Sequence, residues 1–217
     1  GLEITFNASK TRLADISNHD FLLAIQGLLQ SIEMEIKSNL TEFEGSDYIK
    51  EYVHKVFKDK EIKVYKDSER ADGQENLVAN EPWYVYNANY GTSEEKKFVE
   101  LFSRRFKGLN QKFENIYLIR NEREIKIFDK LGRAFEPDFL LFCKQRDEEQ
   151  MTFQVFIEPK GKHLLGYDKW KEDFLKEIRQ EKNTIKIHTD TYLITAVPFF
   201  NYSNENEFKR HLESIFN

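Results

Sequence analysis

Two apolar runs separated by five polar residues constrain the fold more than any other feature of this 217-residue chain. The runs cover residues 139–142 and 153–157, and residues 146–150 lie between them. If the runs form an antiparallel hairpin without a bulge and the turn is centred at residue 148, paired residue numbers sum to 296. Asp138 then lies opposite Glu158, in two strands whose apolar faces predict a central, covered position in the sheet.

This predicted hairpin brings three chemically active side chains to one end of the sheet. Because side chains alternate along a strand, Lys160 falls on the same face as Glu158. Unpaired buried carboxylates are costly, and Lys160 can neutralise only one of the two. Mg²⁺ prefers carboxylate oxygens, carbonyl oxygens and water, so it is the predicted counter-ion. A bound divalent cation beside an ammonium is suited to phosphodiester hydrolysis.

The same residues resemble the motif of the PD-(D/E)XK nucleases: Pro137-Asp138, followed after a spacer by Glu158-Pro159-Lys160. Over residues 135–139 and 157–161 the sequence is similar, more narrowly, to the C-terminal endonuclease domain of the Res subunit of type III restriction enzymes. The resemblance covers residues 91–199. It implies a restriction-endonuclease-like three-layer α/β core, in which a central mixed sheet is flanked by helices.

The resemblance also implies a site and its partners. Asp138 and Glu158 would bind Mg²⁺ with the carbonyl of Pro159, and Lys160 would be the catalytic amine. A glutamate on the preceding helix is expected to assist, and Glu95 is preferred over its neighbour Glu94. The substrate would be double-stranded DNA, and the expected partners are an upstream helicase or ATPase region and a methyltransferase subunit. No phosphate-binding loop occurs in this chain, so any ATP would act through a motor domain elsewhere.

Helical periodicity and turn residues divide the chain into a helical connector, residues 1–80, and a nuclease domain, residues 81–217. The connector is predicted to contain helices over residues 20–40, capped by Asp20, and 46–57, capped by Ser46. From residue 91 the predicted order is α-β-β-β-β-α-β-α. The predicted elements are helices over residues 92–106, 168–182 and 205–216, and strands over residues 115–120, 125–128, 135–144, 151–160 and 191–198. Thr92 and Glu95 form a predicted capping box at the start of the first of these helices.

Composition narrows the remaining choices. The single cysteine, Cys143, lies in an apolar run and favours a reducing, cytoplasmic setting, and no apolar run reaches the ~18 residues of a membrane span. The histidines are scattered, which argues against a zinc site. The net charge of −5 leaves two basic stretches as candidate DNA surfaces, residues 96–107 and the lysines around Trp170. Those lysines are Lys162, Lys169 and Lys171.

Three other interpretations of the motif stay open. A module with a nuclease fold could bind DNA or protein without cutting, and a repair-type nuclease would carry the same residues. In the third, which assigns no chemistry, Asp138 caps a strand while Glu158 and Lys160 form a surface ion pair.

Overall fold

The computed structural model describes residues 17–39, 51–146, 151–181, 183–187 and 190–216. Its helices are α1 (Asn18–Asn39), α2 (Val53–Val56), α3 (Glu75–Val78), α4 (Ser93–Lys112), α5 (Lys169–Glu181) and α6 (Glu205–Glu213). Its strands are β1 (Phe113–Arg120), β2 (Ile127–Phe128), β3 (Ala134–Phe135), β4 (Phe139–Gln145), β5 (Met151–Ile157), β6 (Asn183–Ile187) and β7 (Asp190–Ala196). Short 3-10 helices cover Lys162–Leu164 and Tyr202–Asn204.

Five strands form one mixed sheet in the order β1-β4-β5-β7-β6. The β1–β4, β4–β5 and β6–β7 pairs are antiparallel, whereas β5 and β7 are parallel and are connected through α5 and β6. In the β4–β5 pair Phe139 faces Ile157 and Leu141 faces Val155. The predicted register, in which paired numbers sum to 296, is therefore confirmed.

Side-chain alternation along β4 and β5 separates two hydrophobic clusters, one on each face of the sheet. Phe139, Leu141 and Ile157 face the cluster that contains Phe98 of α4 and Phe208 of α6. The next residues along the strands, Leu140 of β4 and Phe156 of β5, face the second cluster. This cluster also contains Phe174, Leu175 and Ile178 of α5. Because helices cover both faces, the predicted α/β class and three-layer core with a central mixed sheet are confirmed.

Local sequence explains how α4 begins where it does. Thr92 is the N-cap residue, and its hydroxyl oxygen accepts a hydrogen bond from the amide of Glu95 at 3.4 Å. The same hydroxyl donates to Oε1 of Glu95 at 3.0 Å. The predicted cap at Thr92 is confirmed, and it fixes Glu95 in the first turn of the helix.

Several predicted boundaries were wrong. The strand predicted over residues 135–144 is interrupted at Pro137, which cannot donate an amide hydrogen to a neighbouring strand, so β3 and β4 are separate. Edge strand β6 was not predicted, and the strand predicted over residues 125–128 shrinks to Ile127–Phe128.

The two helices predicted near the N-terminus also change. Helix α1 begins at Asn18, and the cap is Ser17 rather than Asp20, because the Ser17 hydroxyl accepts from the Asp20 amide at 3.2 Å. Of the helix predicted over residues 46–57, the described part, residues 51–57, is helical at Val53–Val56, and the proposed cap Ser46 lies outside the described residues.

The chain divides into two compact units. One contains residues 1–45 and 130–132, including α1, and the other contains residues 46–129 and 133–217. Residues 46–80, which were predicted to belong to the connector, are thus grouped with the sheet. Among the described residues, no helix has the length and apolar character needed to cross a membrane.

Candidate active site

Asp138 and Glu158 lie opposite each other where β4 begins and β5 has just ended. They directly adjoin the paired residues Phe139 and Ile157, and the amide of Asp138 donates a hydrogen bond to Oε2 of Glu158 at 3.0 Å. Glu158 is 3% exposed. The sheet therefore holds the two predicted metal ligands side by side.

Lys160 completes the arrangement by contacting two carboxylates. Its Nζ lies 2.7 Å from Oε1 of Glu158 and 2.9 Å from Oδ2 of Asp168, which directly precedes α5. An ion pair between Glu158 and Lys160 was the alternative that assigned no chemistry. However, the two side chains are only 4% and 12% exposed, so this is not the surface bridge which that interpretation requires.

Pro159 does not interrupt the pairing of the sheet at the site. Pro159 forms a parallel bridge with Phe200, and the hydrogen bonds of this bridge are made by its neighbours. The amide of Phe200 donates to the Glu158 carbonyl at 3.0 Å, and the amide of Lys160 donates to the Phe200 carbonyl at 2.7 Å. In a parallel ladder the bridging residue itself need not donate, so proline is tolerated.

The Asp138 carboxylate has no hydrogen-bond or ion-pair partner among the described residues, although it lies beside other anions. Burial and the charges of Glu158 and Glu95 raise the pKa of Asp138 well above its usual range, and Lys160 and Arg120 only partly oppose this. Burial also raises the pKa of Glu158, against the opposing effects of Lys160 and the Asp138 amide. The site is thus short of positive charge.

The pKa of Lys160 shows that the amine keeps its proton. Burial acts to lower the pKa of Lys160, but the carboxylates of Glu158 and Asp168 outweigh it, and the pKa is raised. Burial would raise the pKa of Asp168, yet hydrogen bonds from Lys160 and Lys171 lower it. Both members of the Lys160–Asp168 pair are therefore charged at neutral pH.

Glu95, rather than Glu94, is the glutamate of α4 that reaches the site. Oε2 of Glu95 forms an ion pair with Nη2 of Arg120 at 2.6 Å. The angles of this contact are not those of a hydrogen bond, so within the described residues this buried oxygen accepts no hydrogen bond. Glu94 instead accepts from the amide of Tyr202 at 3.1 Å. The charge of Glu95 contributes to the raised pKa of Asp138.

Arg120, at the end of β1, was not identified from the sequence. Its Nε lies 2.8 Å from Oε1 of Glu122, so two glutamates share one guanidinium. Its Nη1 also donates to the carbonyl of Tyr90. The sequence signal that could have identified Arg120 is a charged residue at the end of an apolar strand, because such a side chain needs a partner when it is buried.

Two buried asparagines hold the main chain on either side of the site, and sequence reasoning missed both. Nδ2 of Asn121 donates to the Pro137 carbonyl at 2.8 Å, and the Asn121 amide donates to the Asp138 carbonyl at 2.8 Å. Nδ2 of Asn201 donates to the Lys160 carbonyl at 2.7 Å. Each asparagine therefore fixes the backbone that carries one of the site residues.

A family comparison covers the whole of this arrangement. The profile of the family HI_1054_C, described as a C-terminal domain, matches residues 44–215. The chain belongs to this family. The HI_1054_C match begins two residues before the compact unit that starts at Ser46, and it contains Glu95, Asp138, Glu158 and Lys160.

The HI_1054_C chain is similar to one curated relative from Haemophilus influenzae (strain ATCC 51907 / DSM 11121 / KW20 / Rd), which is called an uncharacterized protein. The two are 30% identical over 214 residues, which is 92% of this chain and 46% of the relative. The chain thus spans about half the length of that relative. No solved structure matches it.

The residues present in the HI_1054_C chain fit a divalent cation by charge and by chemistry. Within the described residues, no three His, Cys, Asp or Glu side chains are grouped to hold a metal ion. Two carboxylates and a main-chain carbonyl nevertheless offer the hard oxygen donors that Mg²⁺ prefers: those of Asp138, Glu158 and Pro159. The cluster contains five carboxylates and three basic side chains, so its formal net charge is −2: Glu95, Glu122, Asp138, Glu158 and Asp168, against Arg120, Lys160 and Lys171.

Proposed function

We propose that this chain is a magnesium-dependent DNA endonuclease and forms the nuclease part of a type III restriction enzyme. The observation that carries the proposal is the unpartnered carboxylate of Asp138, placed in register beside Glu158, whose other oxygen binds the ammonium of Lys160. A structural ion pair alone would explain Glu158 and Lys160. It would not explain a third, unpaired anion at the same point.

Asp138 and Glu158, with the carbonyl of Pro159, are the proposed ligands of Mg²⁺. When bound, the metal ion would stabilise charge on a phosphoryl oxygen and lower the pKa of its water. Lys160 would orient that water or stabilise the developing negative charge, acting as a donor because its raised pKa keeps it protonated. Glu95 would assist through its carboxylate, which Arg120 holds in place.

The larger assembly is part of the same proposal. The chain covers 46% of its relative, and in this proposal an ATP-driven helicase region lies upstream on the same polypeptide. A methyltransferase subunit would supply the matching modification activity. The substrate would be double-stranded DNA in the cytoplasm.

Plasmid nicking and metal binding together test the proposal. Wild-type protein is expected to cut plasmid in Mg²⁺, whereas Asp138→Asn should neither cut nor bind Mn²⁺ in a calorimetric titration. Lys160→Ala should still bind Mn²⁺ but cut about 10²–10³-fold more slowly, which is the usual effect of removing one such donor. Asp173→Asn, on the exposed side of α5, and Lys144→Ala, at the opposite end of β4, are matched controls.

Equal cutting by Lys160→Ala and wild type would contradict catalysis by this site. The same holds if neither protein cuts after the experiment is repeated with the complete polypeptide and its motor.

One observation favours a second candidate, a module that binds DNA without cutting it. Glu95 is engaged by Arg120, and the described residues contain no group of three acidic, histidine or cysteine side chains arranged for a metal. Such a module would bind DNA but would neither cut it nor take up Mn²⁺, and the titration above separates the two functions.

A further inference from the structure

The segment that connects β5 to α5, taken with the first residue of α5 as residues 162–169, contacts the candidate active site through Asp168. It begins two residues after Lys160, and near its other end Asp168 contacts Nζ of Lys160 at 2.9 Å. Between these points the ring of His163 folds back over Gly161, where an added Cβ would lie 2.9 Å from the imidazole. Asp168 thus joins this segment to the amine of Lys160.

This 162–169 segment presents charge and aromatic surface that the fold itself does not use. Lys162, His163 and Lys169 are exposed, and none of them makes an ion pair with any described residue. Tyr167 is 87% exposed. Lys171, by contrast, is already bound to Asp168 at 3.2 Å.

Ion pairs neutralise part of the other basic surface predicted from the sequence, residues 96–107 of α4. Lys97 pairs with Glu94 at 3.6 Å, and two arginines pair with acidic residues in and around α6: Arg104 with Glu205 at 3.6 Å and Arg105 with Glu213 at 2.9 Å. Lys107 of α4 is also exposed and makes no ion pair with a described residue, but the 162–169 segment is the candidate surface that contacts Lys160 directly, through Asp168.

We propose that the 162–169 segment holds the phosphate backbone of duplex DNA against the candidate active site; this inference rests on the proposed nuclease function. The carboxylates carry excess negative charge and repel a polyanion, so positive charge must be supplied at their border. Lys162 and Lys169 contact phosphates on either side of the bond to be cut, and the ring of Tyr167 packs against the sugar or base between them. Such contacts fix where the backbone lies relative to Lys160.

Fluorescence anisotropy with a labelled DNA duplex, measured in EDTA so that binding is separated from cleavage, tests this surface. Replacing both lysines, Lys162→Ala with Lys169→Ala, should weaken binding about tenfold near 0.1 M salt and make the slope of log K against log salt shallower by about 1.8. Tyr167→Ala should weaken binding about fivefold, while Tyr167→Phe should bind like wild type. The charge-matched control replaces Lys107 and Lys144, which lie on α4 and at the far end of β4.

The surface assignment is overturned if the lysine double variant binds like its control, or if wild-type protein, including the complete polypeptide, binds no duplex. The binding and cleavage measurements distinguish failure of this surface assignment from failure of the nuclease proposal. If the protein binds DNA through these lysines but does not cut it, the surface assignment stands and the nuclease proposal is wrong. If the protein cuts DNA but the lysine variant binds it like the control, the nuclease proposal stands and the surface assignment is wrong.

Discussion

Replacing Asp138 by asparagine should stabilise the protein when no metal is present. The Asp138 carboxylate has no partner in the described part of the chain, and the charges of Glu158 and Glu95 raise its pKa. Asparagine keeps the shape of the half-buried side chain and removes the charge that Glu158 and Glu95 repel, so the substitution should add about 2 kcal/mol. In a domain of this size that corresponds to a rise in Tm of about 4–8 °C in EDTA.

The pH dependence of this gain has a definite sign. A carboxyl whose pKa is raised on folding binds more protons in the native state, so stability falls as pH rises from the ordinary pKa, about 3.9, to the raised one. The penalty is complete above the raised pKa of Asp138. The advantage of Asp138→Asn over wild type should therefore be largest at alkaline pH and shrink on acidification.

Metal should reverse the ranking of the two proteins. At a Mn²⁺ concentration of about 100 times Kd, wild type gains about 2.7 kcal/mol, whereas Asp138→Asn lacks a ligand and gains almost nothing. Thermal denaturation with EDTA or Mn²⁺, with Asp173→Asn as the control, measures both effects. A variant that is less stable than wild type in EDTA, or that gains as much from Mn²⁺, would refute the reasoning.

Two further substitutions probe the groups that hold the site. Gly91→Ala should lower the free energy of unfolding measured in urea by about 1–3 kcal/mol, because the added Cβ would collide with Oε2 of Glu95 and lie 2.9 Å from Nη1 of Arg120. The control is Gly108→Ala in α4, where the added Cβ meets nothing within 4 Å. This variant should be more stable than wild type by about 0.5–1 kcal/mol. Asn201→Ala removes the hydrogen bond to the Lys160 carbonyl, so it should slow cleavage while leaving the Kd for DNA unchanged. A change in this Kd without a change in the cleavage rate would show that Asn201 does not position Lys160.

The hairpin that carries the site could be predicted because two independent constraints coincide. A polar turn between apolar runs sets the pairing of β4 with β5, and alternation then sets the face of each side chain. Asp138 and Glu158 follow from that arithmetic alone. The cap of α4 was equally local, since Thr92 and Glu95 lie three residues apart.

The supporting residues could not be predicted in the same way, because their partners are distant in sequence. Arg120 contacts a glutamate 25 positions earlier, and Asn201 contacts a carbonyl 41 positions earlier. Asp168 reaches Lys160 only because the chain turns back before α5. Arginine, asparagine and aspartate are common in loops and at helix ends, and no strand register or helical spacing links these three residues to their partners. Their partners therefore could not be predicted from the sequence.

The same charge imbalance links the metal, the amine and the DNA surface. Lys160 is shared between Glu158 and Asp168, so a cation that binds Glu158 would compete for one of the two carboxylates and leave the ammonium held chiefly by Asp168. Asp168 is also the residue that joins the 162–169 segment to the site. Backbone phosphates held by Lys162 and Lys169 would thus lie next to Asp168, which holds the Lys160 ammonium. With a metal ion bound to Glu158, the other N–H donors of Lys160 would be free to face a phosphate.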